Sequence, residues 1–120
     1  MSLFLTGTDT GVGKTFVAVE LLRLLREAGI RAVGMKPICC GDRADVGRLL
    51  AAGAEDATIE ELNPVWLRSP VAPSVAARIE RIEIDIEKIC HRFTILSQRS
   101  EWVLNRRNVQ TGLLQEWNHL

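Results

Sequence analysis

The sequence predicts an α/β domain, a parallel sheet with flanking helices, and three observations predict it. A short apolar run, Leu3-Phe4-Leu5-Thr6, leads straight into Gly7 to Gly13, a stretch with three glycines in seven residues. Helical periodicity follows at once, and Gly29 stops it. A second apolar run, Ala32-Val33-Gly34-Met35-Lys36, then ends at Pro37. Strand, loop, helix and strand in that order make a β-α-β unit, which needs parallel strands and a right-handed crossover.

Each element has its own reason. The first run is too short for a helix and is closed by glycine, as for a buried strand. From Lys14 the spacing turns helical, with Val17, Leu21, Leu24, Leu25 and Ala28 on one predicted face. Gly41-Asp42 reads as a turn, followed by a helix over Ala44 to Ala52 that Gly53 ends. Residues 54–73 carry prolines at 64, 70 and 73, which predicts loops and short helical pieces. A helix is expected over Ser74 to Glu80. An amphipathic helix is expected over Ile84 to Ser97, with Ile86, Ile89, Cys90, Phe93 and Leu96 at helical spacing. Glu101-Trp102-Val103-Leu104 reads as a third strand. Residues 105–120 show no strand pattern, although Leu113, Leu114, Trp117 and Leu120 suit one or two amphipathic turns.

Composition narrows the function classes. The chain has 120 residues, 47% of them hydrophobic and 25% charged, with zero formal net charge. A chain of this length buries roughly 65% of its unfolded surface, enough for a core. Without a basic excess, no nucleic-acid or anionic-membrane partner is expected. Three cysteines, Cys39, Cys40 and Cys90, are an odd number without metal-ligand spacing, which argues against a disulfide framework or a zinc site. Neither a signal peptide nor a membrane-spanning run is expected, and the predicted location is cytoplasmic.

The chemistry is concentrated in Gly7-Thr8-Asp9-Thr10-Gly11-Val12-Gly13-Lys14-Thr15, directly after a strand and directly before a helix. Glycines let backbone N–H groups face phosphate oxygens without a Cβ in the way. A helix N-terminus adds free amides and a positive dipole end. In such a loop the lysine, here Lys14, reaches the β- and γ-phosphates, and the hydroxyl of Thr15 is a hard oxygen suited to Mg2+. One departure from the G-x-x-x-x-G-K-[ST] pattern stands at position 8, where Thr8 replaces glycine and Gly7 comes one residue early. The bland alternative is a glycine-rich turn that binds nothing.

With Asp9 and Thr10 in it, this loop resembles that of the dethiobiotin synthetases. Further likenesses follow in order: Met35-Lys36-Pro37, Asp42-Arg43-Ala44-Asp45, Asn63-Pro64, Pro70-Val71-Ala72-Pro73 and Glu101-Trp102-Val103-Leu104. They cover residues 2–104. The resemblance implies a P-loop NTPase-like parallel sheet, and an ATP- and Mg2+-dependent ligase of biotin biosynthesis. In that reaction 7,8-diaminononanoate and CO2 form a carbamate, its oxygen takes the γ-phosphoryl group, and the second amine closes the ring to give dethiobiotin, ADP and phosphate. Lys14 and Lys36 would be catalytic. Thr10, Gly11, Val12, Gly13, Lys14, Thr15, Phe16 and Asp45 would hold the nucleotide and its metal, with Thr15 and Asp45 as metal ligands. Lys36 and Cys40 would touch the substrate, and the family implies a homodimer. Each role has a plainer counterpart: Lys36 as a solvated strand-end charge, Asp45 as an acid matching a helix dipole with Asp42 as its competitor, and Cys40 as a loop thiol. Asn63-Pro64 and the Pro70 to Pro73 segment match the family's substrate-side loop and helix start.

The likeness stops after Leu104. There the family continues to a second magnesium-binding glutamate, whereas this chain has Asn105, Arg106, Arg107 and Asn108, with Arg106 about where the carboxylate should stand. Residues 1–104 therefore read as the N-terminal part of the family's domain, and residues 105–120 as a divergent tail on a truncated chain with impaired activity. A shifted reading frame would account for the break, because codons for Asn-Arg-Arg read one base later can encode Ile-Glu-Gly; a divergent natural tail is the alternative. Three rival readings stay open: a nucleotide-binding fragment without catalysis, a related enzyme such as a cobyrinate amidotransferase or a partitioning-type ATPase, and a product with no nucleotide function. Asp9 counts against the partitioning type, whose loops usually carry lysine there. Exposed sheet edges in a shortened sheet also predict low solubility or pairing with a partner.

Overall fold

The computed structural model describes residues 2–5, 12–53 and 56–106. Its elements are β1 (Ser2–Leu5), α1 (Val12–Glu27), β2 (Ala32–Met35), β3 (Ile38–Cys40), α2 (Ala44–Ala52), α3 (Ile59–Leu62), β4 (Val65–Leu67), α4 (Pro73–Glu80), α5 (Ile86–Arg99) and β5 (Trp102–Arg106). No helix among the described residues is long and apolar enough to cross a membrane.

The β-α-β reading holds for its elements, and the sheet adds something the first 37 residues cannot show. β1 and β2 are not neighbours. β5 lies between them and pairs with both in parallel, giving the order β1-β5-β2. Two crossovers are thus nested: α1 carries the chain from one edge strand to the other, and the long excursion through β3 to α5 returns it to the centre. Because all three strands are parallel, their carboxyl ends share one edge, and the stretch after β1 and Lys36 after β2 both leave from it.

Both faces of the sheet are covered, as parallel sheets require. Along β2 every residue is buried, and alternation divides them between two cores. Ala32 joins Leu104, Ala18, Leu22 and Leu49 on the face under α1. Val33, Met35 and Val103 join Ile89, Leu96, Leu62, Leu67 and Ala76 on the other. Gly34 is where the first face comes closest: a Cβ there would lie 2.8 Å from Leu49 Cδ2 and 3.1 Å from Leu22 Cδ1. The helices settle onto β2 only because this residue has no side chain.

The chain differs from its sequence reading in four places. α1 begins at Val12, two residues before the apolar periodicity starts. Its buried stripe is Thr15, Ala18 and Leu22, with Leu21 and Leu25 beside it, whereas Val17 and Leu24 of the predicted face are 47% and 61% exposed. Periodicity finds an apolar side but not its rotation, because small residues such as Ala18 carry the close contact. The 38–67 region holds a second parallel pair, β3 with β4, that reads in sequence as loop, since strands of three residues are too short to show alternation. Finally β5 runs two residues past Leu104, where no strand was expected: Asn105 aligns with Phe4 and Met35, and Arg106 aligns with Leu5.

The helix limits otherwise follow the predictions closely. α2 spans the expected residues, and Gly53 closes it by donating its N–H to Leu49 O. α4 starts with Pro73 in its first turn. α5 starts two residues after the predicted limit because Asp85 caps it, its carboxylate accepting from Lys88 N–H at 3.1 Å. The predicted tail beyond Arg106 lies outside the described residues.

Candidate functional site

The described part of the site is built on two helix starts and one strand end. Thr10 and Gly11 fall outside the described residues. Val12, Gly13 and Lys14 form the first turn of α1, so their backbone amides belong to the helix positions that lack intrahelical partners. Thr15 follows them and faces the interior at 1% exposure. Its Oγ1 is buried and has no hydrogen-bond partner among the described residues. An unpaired buried hydroxyl costs about 1–3 kcal/mol, so a fold tolerates one where something else supplies the bond. A hard cation or a phosphate-bound metal suits this oxygen, and on that ground Thr15 fits the Mg2+ role. Phe16, by contrast, is 63% exposed.

Lys36 leaves the end of β2, and its Nζ lies 3.5 Å from Asp45 Oδ2 in the first turn of α2. Both side chains are mostly buried, at 19% and 23% exposure. Asp45 also receives Arg48 Nη1 at 3.2 Å, one turn along the helix. The two residues singled out from separate stretches of sequence therefore meet. Asp42, the competitor for Asp45, spends one carboxylate oxygen on its own turn, accepting from Ala44 N–H at 2.9 Å.

Cys40 sits on β3 half-buried, and burial pushes its thiol above the ordinary range; its neighbour Cys39 adds to that and Lys36 opposes it. Cys39 is fully buried, and burial likewise raises its thiol against the pull of Lys36. Its Sγ donates to Asp42 O at 3.2 Å. Both thiols are thereby held in the protonated form at neutral pH.

Asn63 and Arg43 are the residues whose part sequence reasoning missed. Asn63 stood out only through a resemblance to a substrate-side loop, yet its side chain is buried at 1% exposure and turned to the protein interior. Its Nδ2 donates to Lys36 O at 2.9 Å and to Val65 O at 2.8 Å, with Pro37 O at 3.5 Å. Its Oδ1 accepts from Arg43 Nε at 3.0 Å. Carbonyls on one side and a guanidinium on the other fix the orientation of the amide. Arg43 also lies 4.4 Å from the Trp66 ring centre, and Trp66 Nε1 donates to Gly41 O. An asparagine between a short helix and a proline was the available signal.

Residues 1–104 match the family described as AAA domain. The chain belongs to the AAA domain family. It is also related to the dethiobiotin synthetases. It is 48% identical over 103 residues to an ATP-dependent dethiobiotin synthetase of Akkermansia muciniphila, covering 86% of this chain and 48% of that protein. It is 41% identical over 102 residues to an ATP-dependent dethiobiotin synthetase of Methanococcus vannielii, covering 85% of this chain and 48% of that one. A similarly described protein of Thermodesulfovibrio yellowstonii is 38% identical over 109 residues, 84% of this chain and 45% of the relative. The chain thus spans about half the length of the curated relatives it matches. Parallel strands between helices agree with a P-loop NTPase-like domain, and the likeness to dethiobiotin synthetases expected from the sequence holds.

Proposed function

We propose that this chain carries the phosphate- and metal-holding part of a dethiobiotin synthase, which closes 7,8-diaminononanoate and CO2 into dethiobiotin with conversion of ATP to ADP and phosphate. The observation that carries this reading is the hydroxyl of Thr15, buried and without a partner among the described residues, at the start of the helix behind the glycine-rich stretch. In the reading, the loop through Thr10 and Gly11 and the α1 amides of Val12 to Phe16 bind the phosphates, and Lys14 meets the γ-phosphate. Thr15 and Asp45 would hold Mg2+, which would supply positive charge to the phosphate groups. Both the carbamate and the transferring group are anionic, so Lys36 contributes by charge and position, orienting the carbamate oxygen. In this reading Cys40, the last residue of β3, is a neutral substrate contact. A homodimer with small-molecule partners, in the cytoplasm, completes the reading.

A second reading, nucleotide binding without ring closure, is favoured by one observation. Arg106 aligns with Leu5 at the carboxyl edge of the sheet, where the family reading needs a carboxylate. Calorimetry of ATP with Mg2+, with and without diaminononanoate, tests both. Tighter nucleotide binding when the diamine is present is the expected result for the synthase. Binding that ignores the diamine selects the second reading, and no binding by the folded chain overturns both.

A further inference from the structure

We propose that Asn63 is a positioning residue for the Lys36–Asp45 pair, holding the lysine backbone and the start of α2 with one buried amide. Its importance for catalysis rests on the functional reading above; the geometry stands independently. Lys36 and Asp45 come from separate elements and meet through a 3.5 Å contact between rotatable side chains. Something stiffer must set that distance. Lys36 is held at both main-chain atoms by the segment that ends α3: its N–H donates to Leu62 O at 2.9 Å, and its carbonyl accepts from Asn63 Nδ2 at 2.9 Å. Val65 N–H donates to Pro37 O at 3.0 Å, so β4 continues the hold one residue on.

The other end of the same amide reaches α2. Arg43 is the residue before the helix, two before Asp45, and offers no side-chain cap of its own. Its guanidinium is turned instead to Asn63, with Nε to Oδ1 at 3.0 Å and Nη2 to the main-chain oxygen at 3.4 Å. Glu60 and the Trp66 ring flank it. The Lys36 carbonyl and the α2 start are therefore tied through a single planar group at 1% exposure, which cannot change its donor-to-acceptor span without rotating. Buried amides satisfied on both sides specify geometry in this way.

The test reads Lys36 itself and needs no ligand. The chain has three lysines, and Lys88, exposed on α5, serves as an internal standard. Acylation of the full chain by an N-hydroxysuccinimide ester, followed by peptide mass spectrometry, gives the Lys36 rate relative to Lys88. Asn63→Ala should raise that ratio several-fold, because Lys36 Nζ loses its fixed place beside Asp45. Leu67→Ala, a core truncation that leaves the amide network intact, should not raise it at a temperature where both variants are folded. An unchanged ratio in Asn63→Ala, or an equal rise in both variants, overturns the proposal. Should Asn63→Ala fail to fold, Arg43→Gln releases the α2 end of the tie, and a raised ratio supports the proposal while an unchanged one overturns it. Failure of ATP or diamine binding in calorimetry would remove the synthase reading and leave this result as it stands.

Discussion

Thr15 and Asn63 are buried to the same degree, each at 1% exposure, and are treated by the fold in opposite ways. Every polar atom of the Asn63 side chain has a partner, and those partners are two strand ends and a helix start. Thr15 Oγ1 has none among the described residues. Burial alone therefore does not separate scaffold from site. A satisfied buried group holds elements together, whereas an unsatisfied one lowers stability until a ligand completes it.

The largest expected effect falls on the satisfied side. Asn63→Ala strands the Lys36 and Val65 carbonyls and the Arg43 guanidinium at once, and should cost about 3 kcal/mol of unfolding free energy. Urea unfolding reads this as a lower midpoint with little change in slope. A loss under about 0.5 kcal/mol would mean that water takes the place of the amide and that the two residues are not opposites.

Thr15→Val is the mirror experiment and should move stability the other way. It replaces a buried hydroxyl that has no partner among the described residues with a methyl group of nearly the same shape, which should raise the stability of the ligand-free chain by about 1 kcal/mol. In the proposed function the same change removes an Mg2+ ligand, so the strengthening of ATP binding by Mg2+ should disappear. Added stability with an undiminished Mg2+ effect would show that the hydroxyl is an idle core defect. Lost stability would show that Thr15 has a partner outside the described residues.

Much of this was legible beforehand, for physical reasons that differ from residue to residue. Gly53 and Pro73 mark helix limits through local backbone chemistry, so those limits could be read from neighbours in sequence, whereas the apolar spacing from Ile84 hid the cap at Asp85. Thr15 stood out because a phosphate loop imposes fixed spacing. The order β1-β5-β2 was not legible, since it depends on where a strand some seventy residues later inserts. The β3–β4 pair was hidden by its shortness, and the rotation of α1 by the small size of Ala18. At the site, sequence named Lys36 and Asp45 but not their meeting. It missed the part played by Asn63, because an amide that ties two backbones is defined by carbonyls, which carry no residue identity.

Glu61 extends the comparison to a charged group between those extremes, with the smallest expected effect. Its side chain is 15% exposed and pairs with Arg99 Nη1 at 2.8 Å. It also closes a capping box, accepting from Thr58 N–H at 3.0 Å while Thr58 Oγ1 accepts from Glu61 N–H. Burial on its own would raise this carboxyl, but the Arg99 guanidinium and the Thr58 N–H and hydroxyl outweigh it and hold the group below the ordinary value of 4.5. A carboxyl lowered on folding stabilises the protein above its unfolded value, and that contribution is lost as the pH falls through the folded one. Because Arg99 is 37% exposed, the solvent-screened pair should contribute less than about 1 kcal/mol. Glu61→Gln keeps an acceptor for the Thr58 N–H and removes the charge. Urea midpoints of the two proteins should therefore differ at pH 7 and converge as the pH falls below 4.5. A difference that persists unchanged into acid would assign the effect to packing of the cap, and would place Glu61 with Asn63 as scaffold whose charge is incidental.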